Sequence, residues 1–271
     1  MRFAAGIEYA GTAYAGWQRQ NSAPSVQAEV ERALGFVADH PVKVVCAGRT
    51  DTGVHALGQV IHFETDAVRP LRGWLFGANT NLPQDVALRW IVPVAADFSA
   101  RYSALARTYR YVILNAPTRA PLLSNRVCLW RSPLDAARMH AALQPLVGQH
   151  DYSAFRASEC QSKSPVRRLE RIGVERHGDF LVLSVTANAF LHHMVRNIAG
   201  SALAVGEGAR AVGWIAEVLA GRDRAVAGIT APAGGLYFAK VRYPEAAGIP
   251  AEAPAGLSAI IGASQSLEAP G

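Results

Sequence analysis

Ala47-Gly48-Arg49-Thr50-Asp51-Thr52-Gly53-Val54-His55-Ala56-Leu57-Gly58-Gln59 lies between two strand-like runs, Val42 to Cys46 and Val60 to Thr65. One carboxylate, Asp51, sits between two threonines, with Arg49 two residues before it and Gly53 two after. A connection this polar packs poorly and offers reactive groups at a turn. Three readings are open for Asp51. It is a turn-forming aspartate, one half of an aspartic protease, or an ionised nucleophile. Asp-Thr-Gly is the short protease signature, but a protease needs two carboxylates sharing a proton. A second Asp-Thr-Gly is missing, and Arg49 favours the ionised form.

Working outward, the first half reads β-α-β-β-α-β. Arg2 to Tyr9 is strand-like, and Ala10 to Asn21 is a loop with Tyr14, Trp17 and Gln18 as exposed candidates. Ser25 is placed to cap a helix carrying Val26, Val30, Ala33 or Leu34, and Val37 at helical spacing. Pro70 to Phe76 reads as a short helix and Val86 to Val94 as a strand.

The second half repeats the mixture. Arg107 to Leu114 alternates like a strand, and Pro133 to Val147 reads as a helix. Val166 to Glu175 and Phe180 to Ala187 read as a hairpin turning at His177-Gly178-Asp179. Helices follow at Phe190 to Val205 and Val212 to Leu219, then a strand from Gly235 to Tyr243. The expected organisation is an α+β half over 1–105, a second over 106–244, and a disordered tail over 245–271.

The chain has 271 residues, half of them hydrophobic, and a formal charge of +6. It can therefore bury a sizeable core. All of its lysines and arginines precede residue 245, and Lys43, Lys163 and Lys240 are the only lysines. An arginine-rich body suits phosphate, because the guanidinium fork matches its oxygens. Arg101, Arg107, Arg110, Arg156, Arg167, Arg168 and Arg171 are candidates as a group. No apolar run has the roughly 20 residues of a membrane span, and the start lacks an export signal. Cys46, Cys128 and Cys160 are scattered and odd in number, which points to a reducing cytoplasm, with Cys46 expected in the core. His192-His193 is weighed as a metal pair, but neither H-E-x-x-H nor a suitably spaced acid accompanies it, so no metal is expected.

The Asp51 string resembles the active-site motif of the TruA-type pseudouridine synthase family, which modifies transfer RNA. Further stretches match the family's landmarks in its order: Asn79 to Pro83, Phe98 to Ser103, Arg107 to Tyr111, Asp151 to Arg156, Asn188 to Asn197, and Gly235 to Tyr237. The resemblance runs from Phe3 to Pro244. It implies an α+β fold of two similar halves with a continuous, mostly antiparallel sheet flanked by helices. It implies a cytoplasmic homodimer that converts uridine to pseudouridine at positions 38, 39 and 40 of the tRNA anticodon stem-loop, without cofactor or metal.

The resemblance also assigns roles. Asp51 is the nucleophile, Tyr109 stacks on the target base, and Arg196 is the basic partner of the aspartate. Leu236 forms the apolar wall beneath the base, and Arg49 assists extrusion of the nucleotide. The alternative is a non-catalytic RNA-binding or chaperone protein on the same scaffold. The dimeric aspartic protease remains the third possibility.

Overall fold

The computed structural model describes residues 1–250. They divide into two compact units, Met1–Arg107 with the chain from Phe238, and Thr108–Tyr237. Each unit is α+β, with a mostly antiparallel sheet flanked by helices.

In the first unit, β1 (Arg2–Tyr9), α1 (Val26–Ala38), β2 (Val44–Cys46), β3 (His55–Glu64), α2 (Leu71–Asn81) and β4 (Val86–Pro93) follow one another. β1 lies between β4 and β3, antiparallel to both, and β2 also pairs with β3. β1 is buried along almost its whole length, as a strand covered on both faces must be. Its register with β3 runs from Arg2↔Glu64 to Ile7↔Gln59 and then shifts before Tyr9↔Ala56. That irregularity falls where the strands approach the Asp51 loop, and such shifts re-aim side chains.

The α1 N-terminus is capped by Ser25, whose hydroxyl accepts from the Ala28 N–H at 3.4 Å. α2 is longer than the short helix expected, because it continues past Phe76 to Asn81. It seats Trp74 against Phe3 and Phe63, with ring centroids 5.9 and 5.4 Å away. Trp74 is fully buried. Truncating such a side chain costs about 3–5 kcal/mol, a large share of a typical domain's stability.

In the second unit, β5 (Ala106–Asn115), β6 (Cys128–Trp130), α3 (Ala136–Leu143), β7 (Gly148–Asp151), β8 (Val166–His177), β9 (Phe180–Ala187), α4 (Met194–Gly206) and α5 (Trp214–Gly221) follow, and β10 (Leu236–Arg242) begins there before passing into the first unit at Phe238. The strand order is β5-β9-β8-β7, with short β6 parallel to β5. The expected hairpin is present: β8 and β9 pair antiparallel through His177↔Phe180, and Gly178 turns at φ +59. Ala106 and Arg107 of β5 and Phe238 to Arg242 of β10 belong to the first unit, so the chain passes between the units within these two strands.

Several sequence expectations are corrected. Tyr14 and Trp17 are not exposed; they are core, at 6% and 1% exposure. The helix expected from Pro133 starts at Ala136, where Asp135 caps the Arg138 N–H at 3.0 Å, and it gives way to a 3-10 turn at Gln144. The helix expected from Phe190 starts at Met194, because His193 adopts φ +59 at its N-cap. β3 starts five residues earlier than expected, and β6 and β7 had no pattern long enough to show. Cys46 as a residue is partly accessible, although its thiol is buried as expected. Of the tail expected from residue 245, Glu245–Ala247 forms a 3-10 turn, and residues 251–271 lie outside the described residues.

Candidate active site

The Asp51 loop is held from both sides. After β2, the Ala47 N–H donates to the Val60 carbonyl at 2.8 Å. The amide of fully buried Gln59 brackets Gly48, donating to its carbonyl at 2.6 Å and accepting from its N–H at 3.4 Å. The Trp17 N–H donates to the Thr50 carbonyl at 3.0 Å, and the Thr50 hydroxyl meets the buried Tyr9 phenol at 2.7 Å. Beyond Asp51, the Val54 N–H closes a turn onto the Asp51 carbonyl at 3.1 Å. Gly53, at φ +76, donates its N–H to the Tyr14 carbonyl at 3.3 Å.

The packing around this turn is backbone on backbone. Gly16 adopts φ +94, and a Cβ there would stand 2.5 Å from the Thr50 carbonyl oxygen. No side chain fits, so the glycine lets one loop lie directly on the other. Tyr14 is anchored in turn by donating its hydroxyl to Asp85 at 2.6 Å. The backbone of the Ala10 to Asn21 loop, at Tyr14, Gly16 and Trp17, thus lies directly against the Asp51 loop. Thr50 is buried, Asp51 is partly exposed, and Arg49 and Thr52 are exposed. This arrangement presents one carboxylate on fixed backbone at an accessible tip, as covalent catalysis requires.

Two neighbouring acids are switched off. Burial drives the Tyr9 phenol far above its ordinary pKa. Burial likewise pushes the Cys46 thiol up to about 12, although Arg49 pulls the other way. Neither group ionises near neutral pH, and a protonated thiol is a poor nucleophile.

The other site residues expected from the sequence lie in the second unit. Tyr109 on β5 is 8% exposed, and its ring meets Phe190 edge to face at 5.0 Å and 81°. Leu236 opens β10 and is 5% exposed. Gly235 before it lies against the Tyr111 ring and the Val112 carbonyl, where a Cβ would stand 2.9 Å from each. Arg196 on α4 is partly exposed and donates through Nε to the Ala231 carbonyl at 2.7 Å. His192 and His193 stack on one another at 4.0 Å. His192 precedes the helix, so it does not share a helical face with Arg196.

A family described as tRNA pseudouridine synthase matches residues 5–103 and 142–244. This chain belongs to the tRNA pseudouridine synthase family. Curated relatives named tRNA pseudouridine synthase A agree along nearly the whole length. One from Aeromonas hydrophila is 56% identical over 250 residues, 92% of this chain and 93% of its own. One from Hydrogenovibrio crunogenus is 52% identical over 91% of this chain and 94% of its own. One from Methylococcus capsulatus is 53% identical over 93% of each. Among solved structures, a chain of an archaeal box H/ACA sRNP complex aligns over 74% of this chain and 44% of its own. It is 12% identical with a TM-score of 0.32, too weak a likeness to carry an argument. The family match contains Arg49, Asp51, Arg196 and Leu236, whereas Tyr109 falls between its two segments.

Several arginines grouped as phosphate candidates hold loops in this family member. Arg107 donates to the carbonyls of Ala47, Arg101 and Ala104. Arg156 donates to those of Cys160 and Ser162. Arg167 donates to those of Ser164 and Val166 and to the Ser162 hydroxyl. Arg101 is exposed, lying 5.3 Å from the Tyr102 ring. Sequence reasoning missed the roles of Gly16, Gln59 and Tyr9. Only the glycine-bearing composition of the Ala10 to Asn21 loop hinted that this segment supports the site.

Proposed function

We propose that this tRNA pseudouridine synthase converts uridine to pseudouridine at positions 38, 39 and 40 of the anticodon stem-loop, with Asp51 as the nucleophile. The observation that carries the reading is the Asp51 loop. Its backbone is fixed on both sides by buried partners while the carboxylate stands at the tip. A group held this way loses little freedom on meeting its substrate, so more of the binding energy reaches the reacting atoms.

The chemistry is an isomerisation. The bond from ribose to the base nitrogen breaks, the base turns, and a bond from ribose to a base carbon forms. One proton leaves that carbon and the freed nitrogen ends protonated, so no redox equivalent or donor group is consumed. An ionised Asp51 supplies an electron pair and leaves again unchanged. Tyr109, with Phe190 against its ring, gives a firm aromatic surface for a base taken out of the RNA stack. Leu236 supplies an apolar wall, Arg196 balances the carboxylate charge, and Arg49 follows the nucleotide as it leaves the helix. The protein works as a cytoplasmic homodimer on tRNA.

The test is to incubate the protein with unmodified tRNA and map pseudouridine by position. Product at 38, 39 and 40 is expected, with none from Asp51→Ala, which still binds tRNA. Product elsewhere only would overturn the stem-loop assignment, and turnover by Asp51→Ala would overturn the nucleophile. Binding without turnover by the unaltered chain would favour the RNA-chaperone alternative.

A further inference from the structure

α4 is buried on nearly every face. Of its residues, only Arg196 and Ala204 are not buried, and Arg196 carries its only charge. A guanidinium on a flexible arm has about 2 kcal/mol of rotamer entropy to lose before it points one way. The segment from Arg224 to Ala231 supplies the constraint. The Ala231 N–H donates to the Arg196 carbonyl at 3.1 Å, and the Arg196 Nε–H donates to the Ala231 carbonyl at 2.7 Å. Because Nε–H lies in the plane of the fork, the second bond orients the whole guanidinium.

Ala231 is itself held through its neighbours. The Thr230 hydroxyl donates to Asn197 Oδ1 at 2.7 Å. Arg224 donates through one Nη to Asn197 Oδ1 and Thr230 Oγ1, at 3.1 and 3.0 Å, and through the other to the Gly228 carbonyl at 3.0 Å. The Asn197 amide is fixed at its other end by donating to the Phe155 carbonyl at 2.8 Å. The Ser201 hydroxyl accepts from the Gly228 N–H and donates to the Asn197 carbonyl, both at 3.0 Å. Asn197 and Ser201 are fully buried. A Cβ on Gly200 would stand 1.8 Å from the Ile229 carbonyl oxygen, so segment and helix touch backbone to backbone.

Core packing does not explain this segment. Its two large apolar side chains, Val226 and Ile229, are 51% and 58% exposed, while its inward bonds are polar. A buried polar network is costly unless complete, and it specifies one geometry when it is. We propose that Asn197, Thr230 and Arg224 form a positioning network that sets the orientation of the Arg196 guanidinium for the uridine rearrangement. The inference rests on the reading of Arg196 as a site residue. These three residues act through Arg196.

Thr230→Val removes the hydroxyl and keeps the shape. The full chain carrying it should turn over tRNA about tenfold more slowly, the loss of one such hydrogen bond, with KM within about twofold. Thr230→Ser should restore the rate, and Arg224→Gln should act like Thr230→Val, which covers the case in which one variant folds poorly. In an Arg196→Ala background, Thr230→Val should have no further effect on kcat. A lower Tm with unchanged kcat, or an equal loss of rate in the Arg196→Ala background, would overturn the network. Wild-type turnover by Arg196→Ala would instead remove the reading of Arg196 beneath it.

Discussion

Thr50 joins the chemistry of the loop to its support, since its hydroxyl meets a buried phenol while its neighbour carries the carboxylate. Thr50→Val would leave the Tyr9 hydroxyl without that partner in a site where burial already penalises charge. We expect a loss of about 1–3 kcal/mol in unfolding free energy, measured by urea denaturation. A double change with Tyr9→Phe should recover part of it, because both polar groups then leave together. The bond itself was invisible in the sequence. Asp51 stood out through its neighbours Arg49 and Gly53, whereas Tyr9 and Thr50 are 41 positions apart and meet only through the pairing of β1 with β3.

Among the elements, the Ala10 to Asn21 loop shows why composition misleads. Tyr14 and Trp17 look exposed because they sit in a glycine-bearing loop, yet both are core. Long elements were legible because period and caps reinforce each other: Ser25 before the Val26, Val30 and Leu34 stripe marks α1, and alternation marks β5. The three-residue β6 and four-residue β7 were not, since pairing partners, and not local pattern, define them. The start of α4 was missed because the left-handed His193 has no sequence signal. Gly16→Ala tests the loop contact. Positive φ and a Cβ that would stand only 2.5 Å from the Thr50 carbonyl oxygen both oppose a side chain there. The expected cost is about 1–3 kcal/mol, with a fall in turnover larger than that in tRNA affinity. Unchanged thermal melting and turnover would show that the loops can separate freely.

For the molecule as a whole, acid should weaken the fold in two stages. Burial, helped by the Arg2 charge, holds the His62 imidazole below its ordinary pKa, and its Nδ1 accepts from the Ala100 N–H at 3.0 Å. The folded state thus favours neutral His62, so this stability is full above about pH 6.5 and is lost as pH falls through the unfolded and then the folded value. The Ser153 hydroxyl, with lesser help from Arg222, holds Asp151 below the usual carboxylate range. Arg2 does the same to exposed Glu64. These carboxyls extend the loss further into acid. Urea midpoints from pH 7.5 to 5.5 should fall, and His62→Asn should flatten that interval. A chain of net charge +6 should also lose tRNA affinity steeply as salt rises, because phosphate contacts release counterions. A flat salt dependence would refute a phosphate-guided encounter. The boundary running inside β5 and β10 bears on how the chain is made. β1, β3 and β4 emerge from the ribosome long before β10, the strand that joins β3 from the far end of the chain. Until about residue 242 has been translated, part of one edge of β3 waits unpaired, and an open edge invites the wrong neighbour. A nascent chain stopped before Leu236 should therefore need chaperone protection, while one that extends past Arg242 should mature without it.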